Sequence, residues 1–524
     1  MITIAKKGYY IMSVLTAATL LSACNGSKGT AGRNSFEIGE YDRALSKFSK
    51  AYSSEKNRYT KGEYAFYLAE CYRIKGMNKK AATNYNRAIR AKFDRADAQL
   101  RMADCLRATG DFEGAREAYL LYQNKNSTSL LARNGLASCD LAEPMWKYMN
   151  EYDYKNAPDS GYIMSLAKQF NSKFSDYSPA FVGDDYDIVY FTSMRLPKKH
   201  KRTNRVTGQG NSTIYISRLD GRDNWTYPEP LEEPFSSQID DGTPSLTPDG
   251  KVMYFTRCPY DPEQQNTAQC FEIKRSGGRW SDPVRVIPGG DSTMMVAHPA
   301  ISPDGNTLYF VSDAAGGIGG KDIYKTEKGT DGKWTKAENL GAIVNTQGDE
   351  MFPYVRSNGT LYFSSNGHPG YGGLDIYKAE MNENGNHVVS NLGVPINSFG
   401  DDFGIVFAGN REEGFLSSNR ANAKGVDNIY SFVMPEVVLM LEGSVRGNDG
   451  GVPQKSFVRI IGDDGSNNKI RLGDDGKFGQ RINPGTEYII LCGAKGYINK
   501  KLTLSTKGKS RSETVRLDAV LDKQ

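Results

Sequence analysis

Histidine is scarce in this sequence: four copies among 524 residues, at His200, His298, His368 and His387. None belongs to a cluster of Cys, His or carboxylate at zinc-ligand spacing, so neither a zinc site nor any other metal or cofactor is expected. A Gly-x-Ser-x-Gly elbow is missing as well, which excludes the propeller-plus-hydrolase plan as far as a motif can. After residue 23 no apolar run approaches the roughly 20 residues needed to span a bilayer. The formal charge is +5, and losing Lys6 and Lys7 with a leader lowers it to +3. Nucleic acid usually calls for a concentrated basic face, so it is not an expected partner.

Two apparent motifs also fail. Gly316-Gly317-Ile318-Gly319-Gly320-Lys321 resembles a phosphate loop, but position 315 is Ala, and Asp322 stands where Ser or Thr should hold magnesium. Gly370-Tyr371-Gly372-Gly373 occupies the same place one repeat later, which marks both as hairpin turns. Asp463-Asp464-Gly465 lacks the ligand series with a closing Glu that calcium requires.

What the sequence does have is a period. Tyr190-Phe191, Tyr254-Phe255, Tyr309-Phe310, Tyr362-Phe363 and Phe415-Leu416 follow one another at steps of 64, 55, 53 and 53. Ile323-Tyr324, Ile376-Tyr377 and Ile429-Tyr430 close the later units, again 53 apart, and Trp225, Trp280 and Trp334 keep the same beat. Short strands repeating about every 50 residues predict a β-propeller over 150–435. Five blades are recognisable, in a propeller of five or six. One blade cannot bury both faces alone, so each depends on its neighbours.

The first two units carry insertions in one hairpin. From the aromatic pair to the closing strand is 15 residues in the last three units, 25 in the first (Tyr190 to Tyr215) and 19 in the second (Tyr254 to Ile273). Insertions on one side of successive blades usually mark a binding rim. The first is basic, with Arg195, Lys198, Lys199, His200, Lys201, Arg202 and Arg205. It suits an acidic partner, cell-wall polymer or lipid headgroups, or is simply a solvated hairpin. Cys258 and Cys270 bracket the second insertion, and in an oxidising envelope they could close a disulfide across its base. A small register offset would defeat that geometry.

The ends of the chain read differently. Residues 1–23 have the form of a leader, with Lys6 and Lys7 followed by the apolar core Tyr10 to Leu21. Leu21-Ser22-Ala23-Cys24 resembles a bacterial lipobox, which implies cleavage before Cys24 and acylation of its thiol, and hence anchoring by several acyl chains such as palmitate. Residues 24–33 read as a flexible tether. Over 34–149 the period becomes helical. Gly76, Ala81, Tyr85 and Ala88 reappear 34 residues later as Gly110, Ala115, Tyr119 and Tyr122, with an earlier copy at Gly39, Ala44, Phe48 and Ala51. This pattern matches tetratricopeptide repeats. Cys71, Cys105 and Cys139 are also 34 apart. Equivalent positions on packed helices sit about 10 Å from each other, so these read as buried fillers and not as a cluster. Residues 36–125 hold 18 Lys/Arg against 12 Asp/Glu, and Arg73, Lys75 and Arg107 are the candidate partner contacts on the concave helical face. Short alternating strands over 436–524 predict a small β-sandwich. The fold class is therefore multidomain, α-helical repeats followed by all-β modules.

The order of lipobox, tetratricopeptide repeats, Tol-like propeller with Asp-Ile-Tyr endings and a sandwich similar to the carboxypeptidase regulatory-like domain resembles the PorE-type lipoproteins of Bacteroidetes. The resemblance implies a place on the periplasmic side of the outer membrane, alongside the type IX secretion and gliding machinery. It implies a non-enzymatic scaffold whose partners are envelope or secretion-system proteins. That family usually adds an OmpA-like domain that binds peptidoglycan. This sequence stops at Gln524 after the sandwich, so the Asp and Arg of that domain are not expected and peptidoglycan anchoring is not carried over. The alternative is a propeller-based envelope enzyme or a carbohydrate- or peptidoglycan-binding protein.

Overall fold

The computed structural model describes residues 28–151 except 94 and 96, and 161–524 except 183–185, 197–202, 223, 233, 236–238, 260–266, 421–424 and 510–511. The chain forms two compact units, one ending at Val433 and the other spanning Met434–Gln524. Among the described residues no helix is long and apolar enough to cross a membrane.

Among the described residues the first unit begins with seven helices: α1 (Lys28–Glu37), α2 (Tyr41–Ser54), α3 (Arg58–Ile74), α4 (Asn78–Arg90), α5 (Ala98–Arg107), α6 (Phe112–Lys125) and α7 (Leu130–Glu151). Helix α1 takes up residues 28–33, which corrects the flexible tether expected there. Asn57 and Asp111 cap α3 and α6 by accepting from the N–H groups of Thr60 and Gly114, which satisfies donors that have no intrahelical partner. The turns into α2, α4 and α6 contain Gly39, Gly76 and Gly110 at φ of 80°, 66° and 80°. Of the repeating residues, Ala44, Phe48, Ala51, Ala81, Tyr85, Ala88, Ala115 and Tyr119 are buried, Phe48, Tyr85 and Tyr119 completely. Cys71, Cys105 and Cys139 are buried free thiols, as fillers should be. A buried carboxylate, Glu70, ties α3 to α5 by pairing with Arg73 and Arg101 and accepting from the Tyr85 hydroxyl. Burial alone would raise its carboxyl, but the two guanidiniums overcome this and hold it at about 2.

Among the described residues five antiparallel sheets follow in this unit. Their inner strands are Asp176–Val182, Asp240–Leu246, Ala297–Ile301, Glu350–Val355 and Asp402–Phe407. Each sheet continues outward from its inner strand in chain order. Each inner strand neighbours the next, and the fifth returns to the first, so the sheets make a ring. The outermost strand of the fifth sheet comes from the other end of the region: Ile163–Leu166 pairs antiparallel with Asn428–Val433. The ring is thus closed by hydrogen bonds between its two chain ends.

Two polar devices repeat around the ring. Asn345 grips the backbone of Ile323, accepting from its N–H at 2.8 Å and donating to its carbonyl at 3.0 Å. Asn397 does the same to Ile376 and Asn171 to Ile429. The second device is a bulge in every inner strand, where pairing skips a step. There Ser178, Thr243, His298, Phe352 and Gly404 all adopt left-handed φ, between 46° and 59°. Such a conformation is costly for a side chain. In three of the five, the turned N–H is met by a hydroxyl of the preceding sheet: Ser178 by Ser417, Thr243 by Thr192 and His298 by Thr256. The strain stitches sheet to sheet.

The glycine loop at 316–320 joins the paired strands Thr307–Ser312 and Asp322–Glu327. Its N–H groups at Ile318 and Gly319 donate to the Asp322 carboxylate, so it is the hairpin turn expected.

The second unit packs two four-stranded sheets. Leu439–Gly447 is central to one and Phe457–Gly462 with Glu487–Gly493 to the other. Leu441, Val458, Ile460, Ile490 and Cys492 lie in the core between them.

Candidate interaction site at the open end of the ring

Alternation of antiparallel strands puts the loops after the inner strands at one end of the ring and the next hairpins at the other. The helices take the second end. The N–H of Asp42 donates to the carbonyls of Arg205 and Val206. Lys75 donates to the Thr207 carbonyl at 2.9 Å while pairing with Asp42. Arg205 pairs with Glu40 at 3.1 Å. Further along, Asn134 donates to the Gly367 carbonyl at 2.6 Å, and the Gly370 N–H to Ser138 Oγ at 3.0 Å. A side chain at Gly425 would run into the Lys75 carbonyl, so glycine there is what lets the two backbones meet.

This contact corrects the groove expected from the sequence. Arg107 is 5% exposed, with Nε 3.3 Å from the Tyr119 hydroxyl and Nη1 3.5 Å from the Gly370 carbonyl. Lys75 is engaged with the ring, and Arg73 is paired to Glu70. The three residues do not form a free basic face, because the chain's own ring lies against that side of the helices. Of the other candidates, Cys24, Lys198, Lys199, Lys201 and Arg202 lie outside the described residues. The described flanks of the basic hairpin are structural, with Arg195 bound to buried Asp176 at 2.7 Å.

The disulfide expectation is also corrected. Cys258 and Cys270 are free. Opposite Cys270 stands Thr256, two residues short of Cys258, whose own partner on the other side is Asp240. Cys270 is buried beside Tyr254, Val286 and Val296. The same register places Phe271, not Ile273, opposite Phe255. The second hairpin is therefore two residues shorter than the sequence spacing implied.

Carboxylates recur at the helix-facing ends of the inner strands. Asp176, Asp241 and Asp402 are completely buried and bind Arg195, Arg257 and Arg420 at 2.6–2.7 Å. Among the described residues Glu350, their counterpart in the fourth sheet, has only the donors of Thr346 and Ser365. Burial pushes its carboxyl up to about 7 against those donors.

The other end of the ring is open and holds a cavity of about 360 Å³, lined by all five inner strands. Two of its lining rings stack, His298 on Phe352 with centroids 4.0 Å apart, and Phe352 also lies tilted against Phe403 of the second cavity at 4.6 Å. Burial, with help from Lys321, drives the His298 imidazole down to about 3, and its buried Nδ1 has no hydrogen-bond partner among the described residues. A second cavity of about 330 Å³ lies toward the helices, sharing Thr243, His298 and Phe352 with the first and adding Asp240, Cys258 and Asp427. Among the described residues no group of three His, Cys, Asp or Glu could hold a metal.

Sequence reasoning missed this cavity. The available signal was the proline at one place in four units, Pro179, Pro244, Pro299 and Pro353, which marks the channel wall.

No family model matches the chain, and no curated protein does. Among solved structures, an α-L-arabinofuranosidase from Lactobacillus brevis is 13% identical with a TM-score of 0.30, over 51% of this chain and 94% of that one. A puromycin hydrolase is 12% identical with a TM-score of 0.29, over 69% of this chain and 56% of that one. A 3-chlorocatechol 1,2-dioxygenase from Rhodococcus opacus is 12% identical with a TM-score of 0.14, over 17% of this chain and 61% of that one. The chain thus spans less than two-thirds of the last two. Scores this low carry no functional assignment.

Proposed function

We propose that the chain is a non-enzymatic scaffold, lipid-anchored through Cys24 on the periplasmic side of the outer membrane, which holds envelope or type IX secretion components together. In this reading the helices are tetratricopeptide repeats, the sheets are the blades of a five-bladed propeller, and 436–524 is a carboxypeptidase regulatory-like sandwich. The compartment comes from the lipobox and from the resemblance to PorE-type lipoproteins. The observation that carries the reading is the use of the two ends of the ring. One end is occupied by the chain's own helices through backbone and ion-pair contacts, and the other presents an open cavity to a partner.

Two measurements test it together. Cys24→Ala should move the protein out of the outer-membrane fraction. A photo-crosslinking residue at exposed Ser357, on the cavity rim, should trap an envelope protein that the same residue at exposed Leu120 of α6 does not. Unchanged fractionation, or equal capture at both positions, would overturn the reading.

A further inference from the structure

The open cavity is unusual in what its wall withholds. Among the described residues none of the lining side chains carries a formal charge. At the residue after each left-handed bulge, four of the five inner strands have proline: Pro179, Pro244, Pro299 and Pro353. Proline has no amide proton, so at this level the wall keeps its carbonyl acceptors and lacks the matching donors. Phe407 adds an aromatic face. Ser178, only 6% exposed, keeps an Oγ without a hydrogen-bond partner among the described residues. The wall is therefore neutral, built of proline, aromatic and aliphatic side chains with hydroxyls among them, and at the bulges its backbone is biased toward accepting hydrogen bonds.

These features restrict the ligand. A charged group entering would shed its hydration without meeting a countercharge. A sugar has hydroxyls all round and needs fixed polar partners for most of them, whereas much of this wall's polar set is already committed: Tyr354 donates to the Phe407 carbonyl, Ser357 to Asn410, Thr247 to Asp249, and Thr243 shares a hydrogen bond with Thr256. A large apolar side chain with one N–H or O–H donor meets both requirements: its body takes up the apolar wall and its donor reaches an otherwise unused acceptor.

We infer that the mouth of the ring binds an uncharged side chain with an aromatic or aliphatic body and a single N–H or O–H donor, presented by an extended segment of a partner protein. This deepens the scaffold reading and rests on it for the identity of the presenting molecule.

The test uses the full chain, purified in detergent, with N-acetyl-L-tryptophanamide, N-acetyl-L-lysinamide and diacetylchitobiose as probes, followed by saturation-transfer NMR and calorimetry. The tryptophanamide should bind, the lysinamide about tenfold more weakly or worse, and the disaccharide not at all. Ser357→Trp, an exposed rim position, should cover the mouth and abolish saturation transfer. Ser245→Asp brings a charge into the wall while its carboxylate can still accept the Ile301 N–H that Ser245 Oγ accepts at 3.0 Å. It should weaken the tryptophanamide about tenfold and narrow its advantage over the lysinamide. Thermal melts show whether each variant is folded, and either variant alone decides the matter.

Preference for the lysinamide or the sugar, no binding of the tryptophanamide, or tryptophanamide binding that either folded variant leaves unchanged would each overturn the inference. Crosslinking at Ser357 with no tryptophanamide binding would leave the scaffold standing and remove this inference. Tryptophanamide binding without any crosslink would do the reverse.

Discussion

The indole of Trp146 in α7 stands edge-on to the ring of Phe399, with centroids 4.5 Å apart and planes 73° apart. The pair joins the last helix to the loop that leads into the fifth sheet. Phe399→Ala should cost about 2–3 kcal/mol, below the usual range for a core phenylalanine because the ring is only half-buried. Calorimetry should then resolve an early transition of the helices. A single transition merely shifted downward would mean that the polar contacts hold the helices without this pair.

Asn171 takes the place of a covalent link where the ring closes. It satisfies both backbone groups of Ile429, at 2.7 and 2.8 Å. Asn171→Ala leaves those groups without this partner and should cost about 1–3 kcal/mol in urea unfolding. Amide exchange should accelerate across Asn428–Val433 before the rest of the ring. Uniform acceleration around the ring would contradict a local seam.

Glu350 gives a pH dependence of definite sign. Its carboxyl is raised from 4.5 to about 7 in the folded chain, so the folded state holds that proton more tightly than the unfolded one. The associated stability is fully present below about 4.5 and is lost as pH rises through about 7. Buried Asp375 and half-buried Asp427, each pushed up to about 7 by desolvation, act in the same direction. Glu350→Gln should raise Tm by roughly a few degrees above pH 7 and by little near pH 5. A gain independent of pH would show that the carboxyl's ionisation is not the cause.

The six described cysteines should all be recovered as thiols. Alkylation of the native protein should reach Cys258 first, since Cys71, Cys105, Cys139, Cys270 and Cys492 are buried. A linked Cys258–Cys270 peptide in non-reducing mapping would overturn the register described for the second sheet.

Local patterns were legible because they recur. Gly39, Gly76 and Gly110 mark turns wherever they occur, and the aromatic pairs 53 residues apart mark strands that must be buried on both sides. The acid–arginine pairs were not legible: Arg257 comes directly after Thr256, whereas Arg195 and Arg420 come three residues after Thr192 and Ser417, the positions equivalent to Thr256, and no fixed spacing links them to their carboxylates. Nor was the cavity, since its wall is assembled from five strands spread over more than 200 residues.

The sequence by itself determined the period, the helical and strand regions, the turn glycines and the burial of the repeat cysteines, because each depends on residues close in the chain. Tertiary structure alone decided three things. Ile163–Leu166 completes the fifth sheet, because a ring needs its ends joined and pairing with Asn428–Val433 supplies the missing edge. Cys258 and Cys270 miss each other, because strand register is set by the buried aromatic faces and not by the sulfurs. And Arg73, Lys75 and Arg107 became part of an internal joint, because the ring's hairpins supply the carbonyls that meet Lys75 and Arg107, while Arg73 turns to Glu70 within the helices.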